Sequence, residues 1–185
     1  MKNLYSDTIV APATTPGTGA ISIVRVSGPE AFKLTDAVVQ LKSGTVSSSD
    51  AYTIHFGEVW QGGALLDQVL VSVFRAPHSY TGEDSVEIST HASAYIVNEV
   101  IGLLLKAGAR FAQPGEFTRR AFLNGKMDLA QAEAVADVIS STTAASHRVA
   151  MNQLKGSFSA QLADLRSRLL EMASLLELEL DFSEE

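Results

Sequence analysis

In the first half of the chain, hydrophobic and polar residues alternate over short segments, a period typical of β-strands. The predicted strands cover residues 8–13, 20–26, 52–60, 65–74 and 85–91. The third and fourth of these flank Gln61-Gly62-Gly63, which predicts a β-hairpin. The pattern therefore indicates a sheet that is largely antiparallel.

Two helices are predicted among these strands. Ser27, Gly28, Pro29 and Glu30 form a helix start, with proline early in the first turn, and we expect that helix to run to about Leu41. Residues 42–49 are rich in Ser and Gly and predict a loop. Residues 94–106 are apolar and are followed by Gly108, which predicts a second helix that ends there.

After Pro114 the periodicity becomes helical. Gly125 can end one helix in a left-handed conformation, and Asp128 with Gln131 resembles a capping box that starts the next. Apolar and small residues then recur at helical spacing at Leu129, Ala132, Ala136, Ile139 and Thr143, up to a break at Gly156. We predict an α+β fold class in which an α+β half precedes a helical one.

The last predicted helix starts near Ser157 and carries a narrow apolar seam. Its members alternate in steps of three and four: Leu162, Leu165, Leu169, Met172 and Leu176. Burying each such side chain is worth about 1.5 to 3 kcal/mol, so this helix needs packing partners. We expect the helical part to be incomplete within these residues.

Composition narrows the class of protein. The 185 residues include no cysteine and carry a formal net charge of −7. These features exclude a disulfide framework and argue against nucleic-acid affinity spread over the whole surface. No secretory signal is visible, and no apolar run approaches the roughly 18 residues that a membrane span needs. We expect a soluble, cytoplasmic protein without membrane attachment.

Positive charge nevertheless gathers around the predicted helix junction, at Arg110, Arg119, Arg120 and Lys126. On composition alone, the simplest interpretation is a solvated basic face.

Arg25 and Glu87 are the residues most suggestive of a ligand site. Arg25 shares a strand face with Ile21 and Ile23, where a guanidinium needs a carboxylate, a phosphate or another acceptor. Glu87 shares a polar strand face with His91, so that the two could act as a ligand-binding or acid/base pair. The alternatives are a structural Arg25–Glu87 ion pair and a plain solvent-facing sheet surface.

Other kinds of site find little support. The two glycine-containing loops, at residues 14–19 and 80–84, do not match the P-loop pattern and are better interpreted as turns. The four histidines lack metal-ligand spacing, and no serine nucleophile motif occurs. We therefore predict neither a metal site nor a catalytic residue in this chain.

Four segments together resemble the N-terminal part of the tRNA modification GTPase family MnmE, also called TrmE. They are DTIVAPATTPGTGAISIVRVSGP, PHSYTGEDSVEISTH, PGEFTRRAFLNGKMDLAQAEAVADVI and LDFSEE. The resemblance implies a folate-binding, dimerising domain of aminomethyltransferase-like fold over residues 1–118. It also implies the first part of an all-helical domain over residues 119–185, truncated before a Ras-like GTPase domain.

The resemblance further implies a function. Family members work with an FAD-dependent partner, MnmG, to add a carboxymethylaminomethyl-type group to the wobble uridine of tRNA. The implied cofactors are a tetrahydrofolate derivative (5-formyl- or methylene-tetrahydrofolate) and, in the intact protein, GTP, Mg²⁺ and K⁺. By the same resemblance, the folate-binding residues are Arg25, Glu87 and Lys126. Without the GTPase domain, this chain should lack GTPase activity.

The chain departs from the family pattern at two places. His91-Ala92-Ser93 replaces a His-Gly-Gly sequence, and Thr18 replaces a basic residue. Two other functions remain open from the sequence: a stand-alone folate-dependent one-carbon transferase, and a structural assembly module in which Arg25 and Glu87 pair only with each other.

Overall fold

A computed structural model describes residues 7–17 and 19–183, without the side chains of residues 157, 158 and 179–183. The chain divides into two compact units, Met1–Lys126 and Met127–Glu185. The sequence prediction placed this boundary after residue 118. In the structure, the helix that contains residue 118 belongs to the first unit, because its buried side chains pair with residues of that unit.

The first unit is built on a seven-stranded sheet in the order β3-β4-β5-β6-β2-β1-β7. The strands are β1 (Ile9–Pro12), β2 (Ile21–Ser27), β3 (Val39–Leu41), β4 (Thr53–Gln61), β5 (Ala64–Phe74), β6 (Ser85–His91) and β7 (Arg110–Phe111). Neighbours pair antiparallel except β1 and β7, which are parallel. The helices of this unit are α1 (Ala31–Asp36), α2 (Ala94–Ala107) and α3 (Glu116–Leu123).

One face of the sheet forms the core and the other is largely open. Valines of the central strands, among them Val24, Val71 and Val86, are fully buried in one cluster with apolar residues of α1 and α2. On the opposite face, Phe56 pairs with Leu70, and both side chains remain exposed. The alternation seen in the sequence therefore corresponds to a buried and an open face.

The α+β fold class is confirmed, as are the five predicted strands to within one or two residues. The hairpin is confirmed too: Gly62 and Gly63 both have positive φ angles, 58° and 83°. Two successive left-handed residues match the twist of the strands they join, and glycine adopts that conformation without steric cost.

One expectation for the first unit was wrong, and one strand was missed. The helix predicted to reach Leu41 ends at Asp36, and residues 39–41 form β3 instead. Val39 and Leu41 are buried, whereas Gln40 between them is exposed, and all three pair with β4. Burial and strand pairing therefore prevail over local helix propensity. The short strand β7 was not predicted, since two residues are too few to show alternation.

The second unit contains α4 (Leu129–Ser140), α5 (Ala144–Leu154) and α6 (Ser157–Ser183). The predicted capping box is confirmed, because the Asp128 side chain accepts from Gln131 N while the Gln131 side chain accepts from Asp128 N. The expectation that Thr143 lies on a helix face was wrong. Its hydroxyl caps the start of α5 by accepting from Ser146 N.

The apolar seam of α6 is exposed in the structure. Its described members are about half exposed or more: Leu162, Leu165, Leu169, Met172 and Leu176. None of the helices in the described part of the chain is both long and apolar enough to cross a lipid bilayer.

Candidate ligand site on the open sheet face

Arg25 and Glu87 lie directly opposite each other on β2 and β6. Arg25 Nε and Nη2 donate to Glu87 Oε1 at 2.9 and 2.7 Å. The two side chains are 24% and 23% exposed, so the ion pair is half-buried. The prediction that the guanidinium needs an acceptor is confirmed, and the acceptor is this carboxylate. The face that Arg25 shares with Ile21 is the open one, since Ile21 is 65% exposed.

Two aromatic rings hold the guanidinium in place. Arg25 Cζ lies 5.2 Å from the centre of the Tyr80 ring and 5.6 Å from that of Phe117. The Tyr80 hydroxyl in turn hydrogen-bonds Thr118 Oγ1 at 2.8 Å, which links the loop after β5 to α3. Cation–π contacts of this kind stabilise a cation that is partly removed from water. Arg25 is therefore positioned by three separate segments of the chain.

The ion pair leaves hydrogen-bonding groups available. Both hydrogen bonds from Arg25 go to the same oxygen, Oε1. Within the part of the chain that the structure describes, Glu87 Oε2 and Arg25 Nη1 have no hydrogen-bond partner. A carboxylate oxygen accepts and a guanidinium nitrogen donates. The pair can thus present an acceptor and a donor to a planar ligand with the complementary edge.

The contacts of Lys126 are with the loop between β5 and β6. Its Nζ donates to the carbonyl oxygen of Pro77 at 2.9 Å. Its side chain packs on Gly82, where a Cβ atom would come within 3.2 Å of Lys126 Cγ. The structure therefore brings Arg25 and Glu87 into contact, and places Lys126 against the loop that carries Tyr80.

A buried network of charged groups supports the same region. Arg120 is completely buried and contacts three carboxylates, with distances of 2.8 Å to Asp7, 3.2 Å to Glu83 and 3.1 Å to Glu116. Arg110 Nη2 also donates to Glu116, at 2.6 Å. The interpretation as a solvated basic face was wrong for Arg120, which is buried, whereas Arg110, Arg119 and Lys126 are exposed. Arg110 and Arg120 both pair with acidic side chains of the unit.

The network shifts the ionisation of its carboxyls. Hydrogen bonds from Arg110, together with one from Gln113 N and one from Arg120, lower the pKa of Glu116 to about 2 from its ordinary 4.5. At Asp7, burial alone would raise the pKa, but hydrogen bonds from Arg110 and Arg120 bring it below the ordinary value. Both carboxyls therefore stay ionised to lower pH than they would at their ordinary pKa values.

The buried network also connects to the ion pair through the strands. Glu83 Oε2 accepts from the Ser27 hydroxyl at 2.9 Å, and Ser27 is the last residue of β2, two positions beyond Arg25. On α3, Arg120 points to the buried carboxylates while Phe117, one turn earlier, contacts Arg25. The network thus fixes both the strand and the helix that build the site.

Glu87 and His91, which share a strand face in the sequence, have different partners in the structure. His91 Nδ1 lies 2.6 Å from Oδ1 of Asp67, a residue of β5 that is 7% exposed. Asp67 could have been noticed in the sequence, because it occupies the same alternating positions as Val69, Val71 and Val73. A carboxylate at a core-facing position indicates a specific partner.

Tyr80 and Phe117 were also missed. Tyr80 lies in the loop between β5 and β6 and Phe117 lies on α3, and no periodic pattern in the sequence marks either residue. Thr18, one of the two departures from the family pattern, lies outside the described residues. The other departure, Ala92-Ser93, lines a cavity of about 470 Å³ together with Thr14, Ile21 and Ser22.

Comparisons with known proteins agree with this architecture. Residues 8–126 match the family described as GTP-binding protein TrmE N-terminus, and residues 129–185 match the MnmE helical domain. Proteins named tRNA modification GTPase MnmE are similar over 98% of this chain. The identity is 60% for the one from Bacteroides thetaiotaomicron, 58% for one from Bacteroides fragilis and 54% for one from Flavobacterium psychrophilum. The chain spans about 39% of the length of these relatives.

The α+β unit and the helices that follow it correspond in order and extent to the two domains that these family models describe. The chain belongs to the MnmE (TrmE) family, as the resemblance of its four sequence segments predicted.

Proposed function

We propose that this chain is the folate-binding, dimerising part of a GTPase that modifies the wobble uridine of tRNA at C5, together with the FAD-dependent partner MnmG. The observation that carries the folate assignment is the half-buried Arg25–Glu87 pair, in which Oε2 and Nη1 have no hydrogen-bond partner among the described residues. The names of the relatives favour this function over a stand-alone one-carbon transferase.

The residues of the site fit a reduced pterin. A pterin ring presents neighbouring N–H donors and a carbonyl acceptor on one edge, which complement Glu87 Oε2 and Arg25 Nη1. Tyr80 and Phe117 offer apolar ring surface beside the pair. Lys126 is proposed to meet an anionic or carbonyl group further along the ligand, such as its glutamate tail. When bound, the folate supplies the one-carbon unit.

The folate assignment predicts the outcome of a binding experiment. Titration of the chain with 5-formyl-tetrahydrofolate in a calorimeter should give saturable binding. Replacing Glu87 with alanine should weaken that binding by about 1 to 3 kcal/mol, roughly 5- to 150-fold, because N–H donors of the ligand would be left unpaired.

Glu58→Ala is the matched control, since Glu58 lies on β4 and takes no part in the Arg25–Glu87 pair. It should bind 5-formyl-tetrahydrofolate like the parent chain. Equal affinity of the parent and Glu87→Ala would contradict the assignment. Absence of binding by the parent would favour the structural assembly module.

The rest of the proposed activity depends on parts of the protein beyond these residues. No Gly-Lys-Ser or Gly-Lys-Thr sequence occurs in the chain, so the phosphate cradle of a P-loop is missing. Calorimetric titration with GTP and Mg²⁺ should therefore give no saturable heat. Saturable binding would contradict the proposal that GTP binds to another part of the protein. GTP, Mg²⁺ and K⁺ are assigned to the intact protein, which we place in the cytoplasm.

The open sheet face is proposed as the dimer surface. Phe56 and Leu70 are cross-strand neighbours there, and Ile54 beside them is 68% exposed. Apolar side chains that adjoin in this way mark association surfaces. We expect Leu70→Glu to raise the dimer dissociation constant at least about tenfold, by burying a charge in the interface.

Analytical ultracentrifugation of the chain shortened to residues 1–126 would measure this effect. Leu105→Glu is the control, because Leu105 is 38% exposed but lies on α2, away from the open face. The proposal fails if Leu70→Glu dimerises as tightly as the parent, or if only chains that retain α4 to α6 dimerise.

A further inference from the structure

Lys126, just after the end of α3, is held at three points along its length. Its backbone N–H donates to the carbonyl oxygen of Ala121 at 2.9 Å, which closes a Schellman-type helix end around Gly125. Its ammonium nitrogen, Nζ, donates to the carbonyl oxygen of Pro77 at 2.9 Å. The aliphatic stem between these points packs on Gly82, where a Cβ atom would lie 3.2 Å from Cγ and 3.3 Å from Cδ of the lysine. Other residues therefore fix the backbone, the stem and the head of Lys126.

Asn124 joins the two segments that hold this lysine. Its Nδ2 donates to the carbonyl oxygen of Thr81 at 2.8 Å, and its Cβ would lie 3.2 Å from a Cβ atom at Gly82. Thr81 is fully buried, and its hydroxyl is hydrogen-bonded to that of Ser27 on β2 at 2.7 Å. This part of the loop is thus fixed to the sheet. Asn124 sets the distance between the end of α3 and the loop on which Lys126 lies.

The charge of Lys126 is oriented but not neutralised. Pro77 offers it only a carbonyl dipole, and within the described residues Lys126 forms no ion pair with a carboxylate. By contrast, Arg110 and Arg120 of the same unit both contact Glu116. The lysine is exposed, and an ammonium group has three N–H donors, of which the contact with Pro77 uses one. The group can therefore donate to an anion that arrives from solvent.

A purely structural role accounts poorly for these contacts. Ordering a lysine side chain costs more conformational entropy than ordering most others, and a hydrogen bond exposed to water offsets little of that cost. A cation that is ordered beforehand binds an anion more tightly, because this entropy is lost before the ligand arrives. The arrangement is typical of a preorganised anion-binding group.

The loop that Lys126 contacts also contributes to the site around Arg25. Tyr80, whose ring centre lies 5.2 Å from Arg25 Cζ, is two residues before Gly82. Two residues of chain span at most about 7 Å, so the lysine stem packs within that short span of the residue that contacts Arg25. This spacing suits an elongated ligand that contacts the Arg25–Glu87 pair with one end.

We propose that Asn124 is a positioning residue for Lys126, that Gly82 provides the close contact which keeps the lysine stem in place, and that the anion bound there is a carboxylate. The choice of carboxylate rests on the proposed function, because folate carries its carboxylates on the glutamate tail, away from the pterin ring. Asn124 thereby contributes to affinity for the tail without touching the ligand.

The first test needs no folate. Carbon-13 NMR relaxation at the Cε atoms of lysines gives order parameters on the picosecond to nanosecond timescale. In the unmodified chain, Lys126 should be more ordered than Lys106, an exposed residue in the last turn of α2. Asn124→Ala should lower the order of Lys126 to that of Lys106, since the loop and the end of α3 are no longer joined. A Lys126 as mobile as Lys106 in the unmodified chain would overturn the proposal.

The second test is a double-mutant cycle, measured by calorimetric titration with 5-formyl-tetrahydrofolate. Lys126→Ala should weaken binding by about 10- to 100-fold, as expected for a lost hydrogen bond to a charged group. Asn124→Ala should weaken it by about 3- to 10-fold in the parent, but by less than about twofold when Lys126 is already alanine. Gln40→Ala, at an exposed position on β3, is the control and should bind like the parent.

Equal losses from Asn124→Ala with and without Lys126 would overturn the proposal, because Asn124 would then act through the loop and not through the lysine. Unchanged affinity of Asn124→Ala would overturn it too. If Asn124→Ala fails to fold, the relaxation measurement on the unmodified chain decides. Failure of the folate assignment is separate, because it would appear as absent binding by the parent or as unchanged binding by Glu87→Ala, whereas the order of Lys126 is measured without ligand.

Discussion

Replacing Arg120 with methionine should lower the free energy of unfolding of the first unit by about 3 to 5 kcal/mol. Arg120 is fully buried, and its guanidinium is in contact with Asp7, Glu83 and Glu116. Methionine fills much of the same volume but leaves Glu83 and Glu116, each about 1% exposed, without this positive partner. Ionised carboxylates that lose their partner inside a protein are strongly destabilising.

Urea denaturation followed by tryptophan fluorescence would measure this loss, because the only tryptophan, Trp60, lies in the first unit. The adjacent residue offers a control. Arg119 is 50% exposed and lies 3.8 Å from Glu116, so Arg119→Met should cost less than about 1 kcal/mol. Equal effects of the two substitutions would show that burial of Arg120 is unimportant for stability.

The strands could be predicted from the sequence because alternation directly reflects a sheet with one buried face. Residues 85–91 show this most clearly, with Val86 and Ile88 buried and His91 exposed. The failure at Val39–Leu41 has a different origin. A segment of only three residues that closely follows a helix is too short to show an alternating pattern. Only its pairing with β4, where Val39 lies opposite Val59, makes it a strand.

The candidate site could be predicted only in part. Arg25 and Glu87 stand out because a charge interrupts an alternating pattern, and the structure places them opposite each other. The Tyr80 and Phe117 rings come from segments that only the folded chain brings together. The burial of Arg120 was hidden for the same reason, since its acidic partners lie in three different segments of the sequence.

Helix α3 links the buried charged network to the proposed folate site. The helix directs Arg120 into the buried network and Phe117 toward Arg25, three positions apart on neighbouring faces. The loop that contains Tyr80 is held by the same helix, through Thr118. A change that loosens α3 should therefore weaken folate binding even where it touches no ligand group.

Acid should destabilise the first unit over a pH range that Glu116 defines. Its pKa is lowered from 4.5 to about 2, mainly by hydrogen bonds from Arg110. A carboxyl with a lowered folded-state pKa contributes stability that is complete above pH 4.5 and is lost as the pH falls toward 2. The lowered pKa corresponds to about 3 kcal/mol, at about 1.4 kcal/mol per pH unit. Asp7, whose pKa is also lowered, adds in the same direction.

Urea denaturation at a series of pH values, again followed by Trp60, would measure this dependence. Glu116→Gln should be less stable than the parent at pH 7, and its stability should fall less steeply between pH 4.5 and 2, since the titrating group is gone. Glu30→Gln, at an exposed carboxyl that pairs with Lys33, should keep the slope of the parent. An unchanged slope in Glu116→Gln would mean that the acid sensitivity of this unit comes from other carboxyls, and that the Arg110–Glu116 contact contributes little to its stability.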